Sequence, residues 1–199
     1  MVAVSGLPSF ASLLSMSSSL PVFYASRDGH TRRIAERIAA RLTAAGIAAE
    51  PVDAAGPLSR QALVPLPYMI LIAAIRYGHH LREAEALLDV YTKLDAKPPL
   101  ALASVNLTAR KPEKCTPETN PYLRKWIKRR RLSPDLAIAI AGRLVYPRYS
   151  LFDRLAIQFI MTLTGGVTDP TAEVEYTDWN GVDAFADKIV ERVQAPTEA

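Results

Sequence analysis

One stretch near the amino terminus, Leu20 to Ala45, restricts the possible fold more than any other part of the sequence. Residues 20–25 form a short apolar run, typical of a strand buried in the middle of a parallel sheet. A tight polar loop, SRDGHT at 26–31, follows, and Ile34 and Ile38 then begin an apolar series at helical spacing. The stretch therefore predicts a strand, a short loop and an amphipathic helix.

The polar loop is a candidate phosphate site. Backbone N–H groups at the start of a helix have no partner within the helix, and the helix dipole adds positive charge there. A glycine in the loop lets the backbone approach a ligand closely. An alternative stays open, because Asp-Gly is also frequent in hairpin turns and the loop matches neither common nucleotide-binding fingerprint. The candidate residues are Ser26, Arg27, Asp28, Gly29, His30 and Thr31.

Apolar runs and helical patterns alternate along the rest of the chain. Further strands are predicted at 47–52, 68–75, 100–105 and 136–141, with helices between them and after Asp178. This alternation predicts an α/β protein with a doubly wound, five-stranded parallel sheet. In such sheets ligands bind outside the carboxyl ends of the strands. The second and third candidate loops lie at two such ends and contain Arg76, Tyr77, Gly78, Ser104, Val105 and Asn106.

Charge and cysteine content restrict the partners. The net charge of +4 and the pI near 9.3 favour anionic partners without choosing among them. Cys115 is the only cysteine, which excludes a disulfide framework and a cysteine zinc cluster. The three histidines have no metal-ligand spacing, so no metal site is predicted. The pair at 79–80 is predicted to be the exposed start of a helix.

The domain is predicted to span residues 20–194, between two tails. Residues 1–19 are rich in serine and carry no charged side chain, so we expect a disordered tail. The basic region of a secretory signal is missing from them, and Met16 is an alternative start. Residues 195–199 are predicted to form the second tail.

Two segments are candidates for contact with a membrane. The basic run at 124–131 surrounds Trp126; it is either a solvated helix face or a contact for acidic lipid or an anionic substrate. Nucleic acid is not expected as a partner, because no recognition helix or aromatic platform accompanies the run. The apolar helix predicted at 150–163 is too short to span a bilayer. It is a core helix, a partner surface or an interfacial helix.

Several long and unusual motifs resemble a known family, the flavodoxin-like, menaquinone-dependent protoporphyrinogen IX dehydrogenases of bacterial haem synthesis. The resemblance covers about residues 21–193. The motifs that carry it are SRDGHT at 26–31, IRYGHH at 75–80, SVNLTARKPEK at 104–114, TPETNPYLRKW at 116–126, AGRLVYPRYSLFDR at 141–154 and TGGVTDPTAEVEYTDW at 164–179.

The resemblance implies a flavodoxin-like fold of the long-chain type, in which an insertion at about 143–175 splits the last strand. On that reading 136–141 and 173–177 flank the insertion. It also implies an FMN cofactor, held without a covalent bond by the three strand-end loops named above. Ala25 stands where related chains usually carry a hydroxyl residue. The loss of one hydrogen bond to the phosphate would weaken its binding by about 1 kcal/mol.

The implied reaction is the oxidation of protoporphyrinogen IX to protoporphyrin IX, with electrons passed to a membrane quinone. No catalytic base is identified. The resemblance implies a peripheral enzyme on the cytoplasmic face of the inner membrane, docked through 124–131 and 150–163; self-association stays open. Candidate residues for the substrate side and its carboxylates are Arg76, Tyr77, Arg110, Lys111, Arg143 and Arg148.

Two other functions remain open at this point. An electron-shuttling flavodoxin shares the fold, but such shuttles are usually acidic and this chain is basic. A flavin-dependent NAD(P)H–quinone reductase needs no second nucleotide fingerprint if both substrates use the flavin site in turn.

Overall fold

A parallel β-sheet lies at the centre of the computed structural model, which describes residues 19–56, 63, 66–148, 158, 161–162 and 165–195. The apolar helix predicted at 150–163 and the tails predicted at 1–19 and 195–199 lie almost entirely outside these residues. Those predictions, and the domain bounds that depend on them, stay predictions. Among the described residues, no helix has the length and apolar character needed to cross a bilayer.

The strand order confirms the predicted sheet. Within the described chain, five parallel strands lie side by side in the order β2-β1-β3-β5-β6, and the short β4 pairs antiparallel with β3. Each predicted strand is present, with ends that differ by no more than two residues. The strands are β1 (Leu20–Ala25), β2 (Ala49–Asp53), β3 (Met69–Arg76), β4 (His79–His80), β5 (Leu100–Val105) and β6 (Leu136–Ile140).

Helices cover both faces of the sheet, as a doubly wound fold requires. On one face lie α1 (His30–Ala44) and α4 (Trp179–Gln194), and on the other α2 (Arg82–Thr92) and α3 (Pro121–Arg130). Successive strand residues point to opposite faces. Val22 and Ile70 therefore pack against α1 and α4, whereas Phe23 and Leu71 pack against α2 and α3. Because both faces of the sheet centre are buried, β1, β3 and β5 are almost wholly apolar rather than alternating, whereas the edge strand β2 exposes Glu50.

Polar side chains fix the starts of the two later helices. The Asn120 side chain accepts hydrogen bonds from the backbone N–H groups of Tyr122 and Leu123, both at 3.2 Å, and Pro121 begins α3. Asp178 accepts from the N–H of Asn180 at 3.1 Å at the start of α4. The helix predicted after Asp178 is thus confirmed, and asparagine followed by proline is likewise typical of a helix start.

Two bidentate ion pairs join α1 to α4 on the solvent side. Arg37 donates twice to Asp183, at 2.7 Å each, and Arg41 donates to Asp187 at 2.7 and 2.9 Å. Single exposed ion pairs contribute little to stability, but two successive bidentate pairs fix the relative register of the helices.

The prediction that an insertion splits the last strand is wrong in one respect. The segment predicted to complete that strand contains β8 (Glu173–Glu175), which does not join the parallel sheet. It pairs antiparallel with β7 (Arg143–Val145) in a separate two-stranded sheet. Two of its three side chains are exposed carboxylates, and a strand covered on both faces has no place for them.

Candidate functional site

A cleft of about 890 Å³ lies at the carboxyl ends of β1, β3 and β5. The three loops predicted to meet there do so, and the residues around β7 form a further wall. Its lining includes Ser26–Thr31, Arg33, Arg76–Gly78, Leu81, Val105–Thr108, Arg110, Lys111, Lys114, Tyr122, Gly142, Arg143, Val145 and Met161.

The first loop leads directly into α1. The Ser26 hydroxyl accepts a hydrogen bond from the Gly29 N–H at 3.1 Å, which closes the loop. Gly29 has φ +79°, a left-handed conformation that strains other residues, and it immediately precedes the helix. No side chain of the described residues caps α1, and its first turn carries no acidic residue. The first N–H groups of the helix are therefore available to an anion in the cleft.

His30, the first residue of α1, contacts the chain that follows β8. Its Nε2 lies 2.6 Å from the Thr177 hydroxyl, which itself donates to the Ala141 carbonyl at 2.8 Å. Because that hydroxyl hydrogen is used, Nε2 of His30 is the donor. The other ring nitrogen, Nδ1, is buried and has no hydrogen-bond partner among the described residues. Burial lowers the pKa of His30, against the nearby Glu175 carboxylate, which raises it.

The second loop is the two-residue turn between β3 and β4. Tyr77 and Gly78 have φ +51° and +76°, as in a type I′ hairpin turn. A positive φ is unfavourable for tyrosine. Burial does not compensate for it, since Tyr77 is 71% exposed. The Arg76 guanidinium lies 5.4 Å from the centre of that ring and 3.9 Å from Asp28 of the first loop. The turn thus holds an aromatic face beside the cleft, where a planar ligand can stack.

A buried polar network supports the second and third loops. The Ser104 hydroxyl lies 2.9 Å from Nε2 of His80 and accepts from the Asn106 amide at 3.1 Å. The Asn120 amide donates to Oδ1 of Asn106 at 3.1 Å. The imidazole of His80 also stacks on Trp126, with ring centres 3.6 Å apart and planes 14° from parallel. Each of these residues is buried, so the network fixes the loops to α3.

This network involves two residues whose predicted positions differ from the structure. Ser104, predicted to bind the cofactor, is fully buried and outside the cleft lining, where it supports His80 and Asn106. His80 was predicted at the exposed start of a helix; it belongs to β4 and is only 7% exposed, and α2 begins at Arg82. The β3–β4 hairpin turns His80 inward onto Trp126, a contact that local spacing does not reveal.

Basic side chains lie on two sides of the cleft. After β5 the chain forms two short 3₁₀ helices, Leu107–Arg110 and Pro112–Lys114, which bring Arg110, Lys111 and Lys114 to the cleft. Lys111 and Lys114 form no ion pair with a described residue. On the β7 side, Arg143 lines the cleft and pairs with Glu173 at 2.6 Å. Together with the apolar walls, this arrangement suits a planar ligand that carries anionic groups.

Comparisons with known proteins agree with this geometry. Residues 21–171 match the family model for the flavodoxin domain. The chain is 41% identical over 177 residues to the protein of Escherichia coli strain K12 named protoporphyrinogen IX dehydrogenase (quinone), a match that covers 88% of this chain and 97% of that protein. This chain belongs to that family.

A second relative and a solved structure extend the comparison. The protein of Leishmania major with the same name is 41% identical over 179 residues, which cover 87% of this chain and 75% of that protein. An archaeal flavodoxin superposes with a TM-score of 0.52 at 12% identity, covering 88% of this chain and 98% of the other. The flavodoxin-like fold implied by the sequence motifs is therefore confirmed.

The structure brings together all but one of the predicted cofactor residues, Ser104 being the exception. Of the predicted substrate residues, Arg76, Tyr77, Arg110, Lys111 and Arg143 line the cleft, whereas the side chain of Arg148 lies outside the described part of the chain. The binding roles of these residues stay predictions. Within the described residues, no group of three or more candidate ligands is placed to hold a metal ion.

Sequence reasoning missed other residues of the cleft. Lys114 was not among the predicted substrate residues. Its position three residues after Lys111 places both on one side of a helical turn, which was an available signal. Val145 and Met161 reach the cleft from the segment after β6, and no local pattern indicates that position. Thr177 was assigned to a strand, and its contact with His30 is visible only in three dimensions.

Acid is expected to destabilise the protein through His80. Burial lowers the pKa of His80 from its ordinary value of 6.5 to about 3. Between these values the unfolded chain binds a proton that the folded chain does not, so the contribution is complete above pH 6.5 and is lost as the pH falls. The loss is up to about 1.4 kcal/mol per pH unit.

Urea unfolding at several pH values between 7.5 and 4.5 measures this effect. The variant His80→Phe keeps a ring against Trp126 but cannot titrate, so its free energy of unfolding should fall less steeply with acid. The variant Thr92→Val, which changes α2 but removes no titratable group, should keep the wild-type slope. Equal slopes for His80→Phe and wild type would show that His80 does not carry the effect.

Proposed function

We propose that the protein is an FMN-dependent enzyme that oxidises protoporphyrinogen IX to protoporphyrin IX and passes the electrons to a membrane quinone, menaquinone. The observation that carries the proposal is the composition of the cleft. An open helix N-terminus, an exposed aromatic ring and basic side chains all face it, in a chain whose relatives are named for this reaction.

The first and second loops fit a flavin mononucleotide. The N-terminus of α1, with Ser26 and Thr31 beside it, suits the phosphate. Tyr77 offers a face for the isoalloxazine ring, and Gly78 and Asn106 line the same cleft. When bound, FMN supplies the two-electron redox chemistry, and the protein holds and orients the reactants.

The cleft is large for a site that holds a flavin alone. Its volume of about 890 Å³ lies near the upper end of the roughly 300–1,000 Å³ of ordinary ligand pockets. Leu107 and Val145 provide apolar surface on different walls. A tetrapyrrole is likewise a large apolar ligand, so its contact with these walls excludes water from the region beside Tyr77.

The basic residues of the cleft suit the carboxylates of the substrate. Lys111 and Lys114 lie on one side and Arg143 on the other. A dicarboxylate that enters with its apolar edge toward Tyr77 places its anionic groups against these cations. Their role is to orient the tetrapyrrole, so that its oxidisable carbons face the flavin region of the cleft.

The direct test is an anaerobic assay with the purified protein. The protein is loaded with FMN and mixed with protoporphyrinogen IX and a menaquinone analogue, and porphyrin fluorescence is followed. Porphyrin formation that requires both FMN and quinone is expected. Tight FMN binding without porphyrin above the uncatalysed rate would overturn the assignment of substrate. Quinone reduction by NAD(P)H in the same preparation would then favour the alternative function, a flavin-dependent NAD(P)H–quinone reductase.

Loss of a single cleft lysine should weaken recognition of the carboxylates. The variant Lys114→Gln is expected to raise KM for protoporphyrinogen IX about three- to tenfold, the effect of losing ~1 kcal/mol of charge-assisted hydrogen bonding at a half-exposed site. KM for the dimethyl ester should not change, because the ester lacks the charges. Lys188→Gln, which removes the same charge from the exposed side of α4, serves as the control. An equal rise in KM for acid and ester would contradict the assignment.

We further propose that the enzyme is peripheral to the cytoplasmic face of the inner membrane, with α3 toward the lipid. Within the predicted basic run, Arg129 and Arg130 pair with Glu85 of α2, and Arg130 also pairs with Asp89. The remaining cations are exposed, while Trp126 packs in the core, so the helix presents a charged surface to its surroundings. Acidic lipid attracts such a surface. The exposed cations are Arg124, Lys125, Lys128 and Arg131.

Sedimentation with vesicles tests this docking. With vesicles that contain anionic lipid, Lys125→Gln/Lys128→Gln should bind at least about tenfold more weakly than wild type, because each cation contributes about 1 kcal/mol. The control Lys97→Gln/Lys188→Gln removes two charges elsewhere and should bind as wild type does. If both double variants bind equally, α3 does not face the lipid. The contribution predicted for 150–163, and self-association, stay predictions.

A further inference from the structure

The segment that follows β6 both lines the cleft and contacts α1. Gly142, Arg143 and Val145 lie in the wall of the cleft. The returning chain passes beside them, because the Tyr176 N–H donates to the Gly142 carbonyl at 3.2 Å. The next residue, Thr177, is the one that contacts His30. One short stretch of chain thus joins the far wall of the cleft to the first residue of α1.

The contact between Thr177 and His30 has one consistent hydrogen-bond direction. The Thr177 hydroxyl donates to Ala141, so it accepts from Nε2 of His30 at 2.6 Å. The buried Nδ1 on the opposite side of the ring has no partner among the described residues. His30 also lines the cleft at the N-terminus of α1. The ring therefore lies between the phosphate side of the cleft and the returning chain.

A second contact strengthens the first. Arg33, one turn further along α1, donates to Glu175 at 3.0 Å, and the Trp179 indole donates to the other carboxylate oxygen at 2.8 Å. The Arg33 guanidinium lies 5.4 Å from the centre of the Trp179 ring, and the His30 ring meets the same indole edge-on at 6.1 Å. Hydrogen bonds from Trp179 and Arg33 outweigh partial burial and lower the pKa of Glu175.

We propose that His30 and Thr177 form a latch through which the phosphate of the bound flavin holds the two-stranded β7–β8 sheet against the cleft. His30 is then a positioning residue as well as part of the phosphate loop. The cofactor phosphate and the wall that meets the substrate become ordered together. The inference rests on the proposed function, because FMN is taken as the ligand.

The physical link is the charge on the imidazole. A phosphate at the N-terminus of α1 places negative charge beside His30, which favours a proton on Nδ1, and the Nε2–H of the resulting imidazolium is a stronger donor to Thr177. Glu175 acts on the ring in the same sense, while Arg33 and Arg143 oppose it. Coupling of this kind is reciprocal. If phosphate binding stabilises the contact between the β7–β8 sheet and α1, that contact must also strengthen phosphate binding.

The experiment compares FMN with riboflavin, which has the same ring system and no phosphate. Hydrogen exchange is measured at the amides of 142–146 and 172–177, and the affinity for each flavin is measured by fluorescence quenching. In wild type, FMN should slow exchange in both segments at least about threefold more than saturating riboflavin. The variant Thr177→Val should abolish this difference and weaken FMN binding about three- to tenfold, with riboflavin binding unchanged.

Two further variants separate coupling from general damage. Thr177→Ser keeps the hydroxyl and should restore both the exchange difference and the affinity for FMN. Thr92→Val removes a hydroxyl that donates to a backbone carbonyl at 2.8 Å, as Thr177 does, but it lies in α2, away from the cleft. This control should behave as wild type. If Thr177→Val does not fold, the comparison of wild type with FMN and riboflavin still decides the question.

The possible failures are distinguishable. If wild type binds both flavins but exchange slows equally, the latch is wrong and flavin binding stands. If Thr177→Val keeps the full difference, the hydroxyl is not the link and the latch is likewise overturned. If neither flavin binds wild type, both the latch and the FMN part of the proposed function are wrong.

Discussion

The parallel hydrogen bonding of β1, β3 and β5 is the constraint on which the rest of the molecule depends. Its register sets Ala25 beside Ala73 and Ala73 beside Ser104, so β1 and β5 finish within one residue of the same level, and β3 continues three residues further to the turn at its end. Each following loop then opens onto one edge of the sheet. The cleft combines the free backbone N–H groups of α1, an aromatic ring and basic side chains. They come together because strands that are distant in sequence end side by side, and not through any local motif.

A polar network inside an otherwise apolar layer gives the cleft its rigidity. Ser104, Asn106 and Asn120 are buried, and burial of unpaired polar groups would be costly. Their mutual hydrogen bonds remove most of that cost and leave a defined geometry. The network joins the end of β5, the β3–β4 hairpin and the start of α3. A ligand in the cleft consequently meets loops that are already in position, which reduces the ordering cost of binding.

Much of this arrangement was predictable from sequence, and the exceptions share a cause. Continuous apolar runs identified four of the five strands of the parallel sheet, and Asp178 marked the start of α4, because these signals depend on neighbouring residues. The burial of His80 depends on Trp126, far along the chain, and the pairing of β8 depends on β7. Spacing finds contacts within one element; it does not report which distant element lies opposite.

The ion pairs between α1 and α4 have a consequence for how this fold varies. Together with a shared apolar core they hold α4 against α1, while β6 is fixed in the sheet, so the chain between β6 and α4 begins and ends at points that do not depend on its length. The entropy of closing such a segment grows only with the logarithm of its length. Residues can therefore be added between β7 and β8 at small entropic cost, provided that the buried contacts of Leu144, Tyr146 and Met161 are kept. Beside the cleft, the scaffold offers a position where new substrate surface can evolve while the flavin-side architecture is retained.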